Sequence, residues 1–180
     1  MTMVAIQGIK GSYSEEAVRR LLGDAVSILE CSDFADTFAA LDRGEADHAV
    51  VPVANKIVGA ITQPAELIKA GRFQVVEKLS LKVRHVLAGT PDSKIEDLVS
   101  VRSHVEALKQ CRRFLSGNPN LTQIICGDTA TSIRRIVDEG DPTSAAIGSR
   151  RAAELYGAKI LREDIADDID NWTTFYLVGN

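Results

Sequence analysis

The feature that most constrains this 180-residue chain is the alternation of short apolar runs with amphipathic segments. Residues 4–7 read as a strand, and 13–22 as a helix on which Ala17, Val18, Leu21 and Leu22 recur at helical spacing. Ser12 or Ser14 caps that helix, and Glu15 and Glu16 occupy its first turn, where the helix dipole favours carboxylates. A strand at 26–30 follows, then a helix at 34–42 capped by Ser32 or Asp33 and ended by Gly44. Residues 49–53 form a short apolar strand broken by Pro52, and 61–70 a helix that stops at Gly71. The rhythm then changes. Residues 73–87 alternate, with Val75, Leu79, Leu81, Val83 and Leu87 at β-type positions, as one long strand or two strands crossing to a second lobe. Beyond the turn Thr90-Pro91-Asp92-Ser93, strands at 99–102, 121–126, 145–148, 159–162 and 174–178 are predicted. Helices at 105–115, 130–138 and 149–156 alternate with them. The predicted class is α/β in two lobes, with mostly parallel sheets flanked by helices. Lobe 1 covers about 1–78 plus 168–180, and lobe 2 about 79–167. A ligand crevice between the lobes, at strand C-termini and helix N-termini, is the expected site.

Composition narrows the function. Twenty-one Lys and Arg against 25 Asp and Glu give a net charge of −4, which argues against nucleic acid as a partner. No run approaches the roughly 18 apolar residues of a membrane helix, so no membrane partner is predicted. The N-terminus opens on a strand-like run without the basic region or small-residue cleavage site of a signal peptide, so a cytoplasmic protein is expected. Cys31, Cys111 and Cys126 are odd in number and lack CxxC spacing, which argues against a disulfide framework or a zinc site. His48, His85 and His104 are scattered, so no metal is predicted.

Four segments place polar residues beside strand ends. In the first, residues 7–14, two glycines let the backbone approach a ligand, and a helix N-terminus suits an anion. In the second, residues 51–59, an apolar strand runs into Asn55, able to orient a ligand oxygen, and Lys56, able to neutralise a carboxylate. In the third, Ser103 is the expected N-cap of a helix, with Glu106 in the capping-box position and His104 between them. The fourth, residues 171–175, carries the single tryptophan between polar side chains. No Ser/His/Asp triad, Walker loop or glycosidase carboxylate pair assembles from spacing, and the acidic cluster Asp167, Asp168 and Asp170 reads as a solvated loop. The residues alone thus describe a two-lobed α/β protein that binds a small anion.

At these same segments, nearly end to end, the chain resembles the prephenate dehydratase catalytic domain and its relatives the arogenate dehydratases. Residues 7–17 look like QGxxGxYSExA, and 51–59 like VPxENSxxG. Val83, His85 and Leu87 look like VxHxL; residues 103–111 resemble SHPQALxQC, and 128–130 resemble DTA. Residues 145–157 resemble AAIASxxAAxxYG, and 171–175 resemble NxTRF. The resemblance implies a fold like the type II periplasmic binding proteins. It implies a lyase of phenylalanine biosynthesis that converts prephenate to phenylpyruvate by decarboxylation and dehydration, with no cofactor. Thr173 then matches the residue that protonates or hydrogen-bonds the leaving hydroxyl. Asn55, Ser103, His104, Thr129, Ser12, Tyr13 and Ser14 match substrate-binding positions, and Lys56 and Glu106 stand at two more.

Four departures mark the pocket: Ala54 for glutamate, Lys56 for serine, Glu106 for glutamine, and Thr174 for the arginine of TRF. Lys56 is expected to supply the missing cation from the opposite side of the crevice. A prephenate decarboxylase, an arogenate dehydratase with Glu106 facing the ammonium, and a non-catalytic anion-binding module are the alternatives. A homodimer is expected, with neither a regulatory segment nor a fused chorismate mutase in the chain; a separate mutase would then supply the substrate.

Overall fold

The computed structural model describes residues 2–71 and 73–180; Met1 and Arg72, both within the expected first lobe, lie outside the described residues. The chain divides into two compact units, Met1–Val83 with Asn171–Asn180, and Arg84–Asp170. The crossings fall a few residues beyond the expected 78/79 and 167/168.

In the first unit, β1 (Met3–Gln7), α1 (Tyr13–Leu22), β2 (Ser27–Cys31), α2 (Phe34–Asp42), β3 (His48–Asn55), β4 (Gly59–Ala60), α3 (Thr62–Ala70) and β5 (Gln74–Lys82) are completed by the last strand, β11 (Trp172–Gly179). The sheet order is β2-β1-β3-β11-β5, with β4 on β3. One face of the sheet packs Val4, Ile6, Val50, Leu81, Phe175 and Leu177 against Ala17 and Val18 of α1. The other packs Ala5, Ala49, Val51 and Val178 against Phe38 and Leu41 of α2. Period-two alternation along β1 and β3 therefore buries both faces, which is why these strands read as continuous apolar runs.

The second unit holds β6 (Val86–Gly89), a 3₁₀ turn at Ile95–Asp97, β7 (Ser100–Ser103), α4 (Val105–Gln110), α5 (Arg112–Ser116), β8 (Thr122–Ile125), α6 (Thr129–Glu139), β9 (Ser144–Gly148), α7 (Arg150–Tyr156) and β10 (Lys159–Arg162). Its sheet order is β10-β6-β9-β7-β8. Leu87, Val101 and Ile147 of the sheet pack with Leu108 and Phe114 in one cluster.

Three expectations need correction. The sheets are mixed rather than mostly parallel. The pairs β1–β2, β1–β3, β7–β8 and β7–β9 are parallel, whereas β11 pairs antiparallel with β3 and β5, and β6 with β9 and β10. Each antiparallel pair uses a strand beside a unit crossing, where no crossover helix restores the direction. The helix expected at 105–115 is two helices, broken at Cys111, whose φ of −114° and ψ of 29° leave the helical region. Finally, Pro52 does not break its strand. β3 continues to Asn55, and the register of β11 shifts between Thr174 and Phe175, beside the proline that lacks an N–H.

Candidate functional site

β1 and β3 run parallel and β11 runs antiparallel to β3, so the C-terminal ends of β1 and β3 share one sheet edge with the start of β11. α1 begins at that edge. Thr173, Phe175 and Leu177 alternate onto the face that α1 covers.

Asn55 organises the edge. Its carboxamide Oδ1 accepts the backbone N–H groups of Ile57 at 2.9 Å and Val58 at 3.0 Å. Both donors are obligate, so the amide orientation is fixed: oxygen toward the turn, nitrogen toward β11. Nδ2 then donates to Asn171 Oδ1 at 2.8 Å and to Thr173 Oγ1 at 2.8 Å. Since the Thr173 oxygen accepts, its own proton is directed elsewhere, and no acceptor for it is found among the described residues. A hydroxyl that already accepts an N–H is polarised toward donation. Thr173 is 7% exposed and Asn171 fully buried. The turn after Asn55 is closed by the Lys56 N–H on the Trp172 carbonyl at 2.8 Å, and by Gly59, whose φ of +94° only glycine adopts freely.

The expected cap of α1 is Ser12, whose Oγ accepts the Glu15 N–H at 3.2 Å. Glu15, 1% exposed, accepts the Gly11 N–H at 2.7 Å and pairs with Arg19 at 3.2 Å, so its carboxylate closes the loop that precedes the helix. Ser14 is buried, and Tyr13 half-buried against the α1 cluster.

Two of the departures from the family pattern are neighbours. Ala54 and Thr174 are register partners, and Thr174 Oγ1 lies 3.4 Å from Ser80 Oγ. A carboxylate and a guanidinium there would face each other across the strands, so losing both leaves no lone charge. Lys56 belongs to the same unit and the same edge as Thr174, tied to Trp172 through its backbone, rather than to the opposite side.

In the second unit, the parallel strands β7, β8 and β9 end together, and α4, α6 and α7 start at that edge. Ser103 does not cap α4. It is fully buried, and its hydroxyl donates to the Ile147 carbonyl at 2.7 Å, clasping β7 to β9. The cap is His104, whose Nδ1 accepts the Glu106 N–H at 3.2 Å, so the ring proton sits on Nε2. Glu106 accepts from Lys109 Nζ at 2.8 Å. Thr129 opens α6 beside its cap Asp128, whose Oδ1 accepts the Thr131 N–H at 2.7 Å. Gly148 lets α6 approach, since a Cβ there would stand 2.6 Å from Ile133 Cδ1. His85 lies at the same edge, 3% exposed, with Nε2 2.7 Å from Gln110 Oε1. Burial pushes its pKa below the ordinary imidazole value, against the Gln110 bond, so the ring is held neutral.

Asn55, Thr173, Ser12, Tyr13, Ser14 and Lys56 thus gather at the edge of one unit, and Ser103, His104, Glu106 and Thr129 at the edge of the other. Asn171 was not singled out from sequence; its place in the NxTRF segment was the one available signal. A groove of about 480 Å³ between α5 and β10, lined in part by Arg113, Phe114 and Arg162, contains none of the expected residues. Among the described residues no cluster of three or more His, Cys, Asp or Glu could hold a metal ion, and no helix is long and apolar enough to cross a membrane.

The prephenate dehydratase family profile matches residues 4–180. The Arabidopsis thaliana protein named arogenate dehydratase/prephenate dehydratase 1, chloroplastic, is 36% identical over 176 residues, 98% of this chain and 44% of that protein. The chain therefore spans less than half the length of this relative. A prephenate dehydratase structure from Arthrobacter aurescens, solved in complex with L-Phe, superposes with a TM-score of 0.90 at 27% identity, covering 99% of this chain and 60% of the other. A structure described as GqqA, a novel type of quorum quenching acylase, superposes with a TM-score of 0.87 at 31% identity, covering 99% and 64%. At the level of fold alone, a nutrient binding protein from Burkholderia cenocepacia reaches a TM-score of 0.50 at 15% identity, covering 99% and 84%. The strand order, the polar sheet edge around Asn55 and Thr173, and the profile match over nearly every residue agree: this chain belongs to the prephenate dehydratase family.

Proposed function

We propose that the chain catalyses the decarboxylative dehydration of prephenate to phenylpyruvate. The observation that carries this reading is the fixed polarity of the Asn55–Thr173 pair, which leaves the Thr173 proton available at a sheet edge. In the reaction the bond from the ring to its carboxylate breaks, and carbon dioxide leaves. The electron pair completes the aromatic ring as the C–O bond opposite breaks, and the hydroxide takes a proton to leave as water. The dianion and one proton thus become phenylpyruvate, carbon dioxide and water. Thr173 donates its hydrogen bond to the departing oxygen, where negative charge grows in the transition state, and the proton consumed comes from solvent.

The second unit, taken by itself, gathers groups that favour an anion at one edge of its sheet. His104 presents an Nε2–H donor, and Thr129 stands at the N-terminus of α6, where backbone N–H groups and the helix dipole favour an anion. Glu106 is already paired with Lys109, which supports the keto acid over the amino acid arogenate.

An acylase reading, prompted by the GqqA likeness, needs an activated nucleophile. Ser103 and His104 adjoin in sequence, but Ser103 donates to a carbonyl and His104 Nδ1 accepts a backbone N–H, so they do not form a nucleophile–base pair.

The test is incubation of the purified protein with prephenate and, separately, with arogenate. Phenylpyruvate, read by its absorbance in base, is expected from prephenate, with slower phenylalanine formation from arogenate. A non-aromatic decarboxylated product, or no turnover of either compound, would overturn the reading.

A further inference from the structure

We propose that Asn171 is a positioning residue for the dehydration step, locking the Asn55 amide so that the Thr173 proton stays available to the leaving hydroxyl. This rests on the dehydratase reading and assigns a role to a residue outside the substrate-binding set.

Asn171 is fully buried, where a primary amide is retained only if it is hydrogen-bonded. Its Oδ1 takes one Asn55 N–H at 2.8 Å, and Thr173 Oγ1 takes the other at 2.8 Å. Its backbone is anchored as well, since the Asn171 carbonyl accepts the Val83 N–H at 2.8 Å beyond the end of β5. The acceptor is therefore held in place before any ligand arrives.

The alternative arrangement shows what the lock prevents. If the Asn55 amide turned over, its oxygen would face Thr173, and the threonine hydroxyl would donate to it. The hydrogen bond needed at the substrate would then be made inside the protein. With Asn171 present, that rotation sets two carboxamide oxygens against each other and strips the Ile57 and Val58 N–H groups of their acceptor. Without Asn171, the first penalty disappears and one Asn55 N–H in the native orientation has no partner. Removing Asn171 thus lowers the cost of the orientation that silences Thr173.

The experiment measures kcat and KM for prephenate in wild type, Asn171→Leu, Asn171→Ala, Asn171→Asp, and Asn171→Leu combined with Thr173→Val. Asn171→Leu and Asn171→Ala should lower kcat by about 10- to 100-fold with KM within about twofold, the pattern of an interaction expressed in the transition state. Asn171→Asp keeps an acceptor and should recover at least about a third of wild-type kcat. In the Thr173→Val background, Asn171→Leu should change kcat by less than about twofold, because the proton it protects is already gone. Wild-type kcat in Asn171→Leu, or an equal loss with and without the Thr173 hydroxyl, overturns the inference while leaving the functional reading intact. If neither deletion variant folds, Asn171→Asp decides: a loss beyond about tenfold counts against the lock. If wild type forms no aromatic product, the functional reading fails and the inference fails with it.

Discussion

Two strand ends in this molecule carry a hydroxyl among polar neighbours, and they use it in opposite directions. At the start of β11, Thr173 Oγ1 accepts an amide N–H from Asn55, which leaves its proton for a ligand. At the end of β7, Ser103 Oγ donates inward to the Ile147 carbonyl and is fully buried. Both residues match family motifs, and motif membership alone does not separate them. The direction of one hydrogen bond does: a hydroxyl that accepts from the protein is poised to donate outward, and one that donates inward is a clasp.

The largest expected effect tests the outward hydroxyl. Thr173→Val is nearly isosteric and removes the hydroxyl that donates to the departing oxygen, so kcat on prephenate should fall by about 10² to 10³-fold, the usual cost of losing one donor to a developing oxyanion. It also strips one part-buried Asn55 N–H of its acceptor, so the melting temperature should fall as well, and Thr173→Ser, which keeps the hydroxyl, should retain most of the rate. Steady-state kinetics beside thermal unfolding reads this out. A valine variant with wild-type kcat would remove Thr173 from the chemistry.

The clasp should lose stability without losing rate. Ser103→Ala leaves the Ile147 carbonyl short of a buried donor, which costs about 1–3 kcal/mol of unfolding free energy. The folded variant should keep kcat within about threefold. Urea unfolding and the same assay separate the two terms. Were Ser103→Ala to lose rate as steeply as Thr173→Val at unchanged stability, the contrast between the two strand ends would collapse.

How far the sequence discloses this arrangement depends on the range of each interaction. Local chemistry is readable to within a residue or two: of the caps expected, Ser12 or Ser14 and Ser32 or Asp33, it is Ser12 and Asp33 that serve, because a side-chain oxygen and an N–H three residues on decide it. The cap of α4 was misassigned by one residue, since serine is the commoner cap and nothing local reveals that Ser103 is needed by β9. The Asn55–Thr173 bond spans 118 positions and exists because β11 returns to pair with β3. Periodicity marks both strands and is silent on which strands pair. Sequence alone suggests a strand over 49–53 broken by Pro52, but a register shift in β11 accommodates the proline and carries β3 on to Asn55. The family resemblance located Asn55 and Thr173, while which atom donates to which comes only from the backbone N–H groups of Ile57 and Val58. The same limit explains Ala54 and Thr174, read separately as lost charges and found to be one cross-strand pair.

The smallest effect extends the comparison to His85, a titratable side chain held inward as Ser103 is. Its ring is 3% exposed and bonded to Gln110, and burial depresses its pKa below the ordinary value near 6.5. The folded chain therefore keeps it neutral at a pH where the unfolded chain already binds a proton. Its stabilising contribution is complete above the unfolded pKa, and is lost as pH falls from about 6.5 toward the lower folded value. One proton taken up on unfolding gives a slope of at most about 1.4 kcal/mol per pH unit in that window. Carboxylates add their own slope at lower pH, so the measurement is a difference. Urea unfolding of wild type and His85→Gln at pH 7.5, 6.5 and 5.5 should show the wild type losing more stability between the last two points. Parallel curves would mean that the ring is protonated alike in both states, and that the interior at this edge is wetter than its burial indicates.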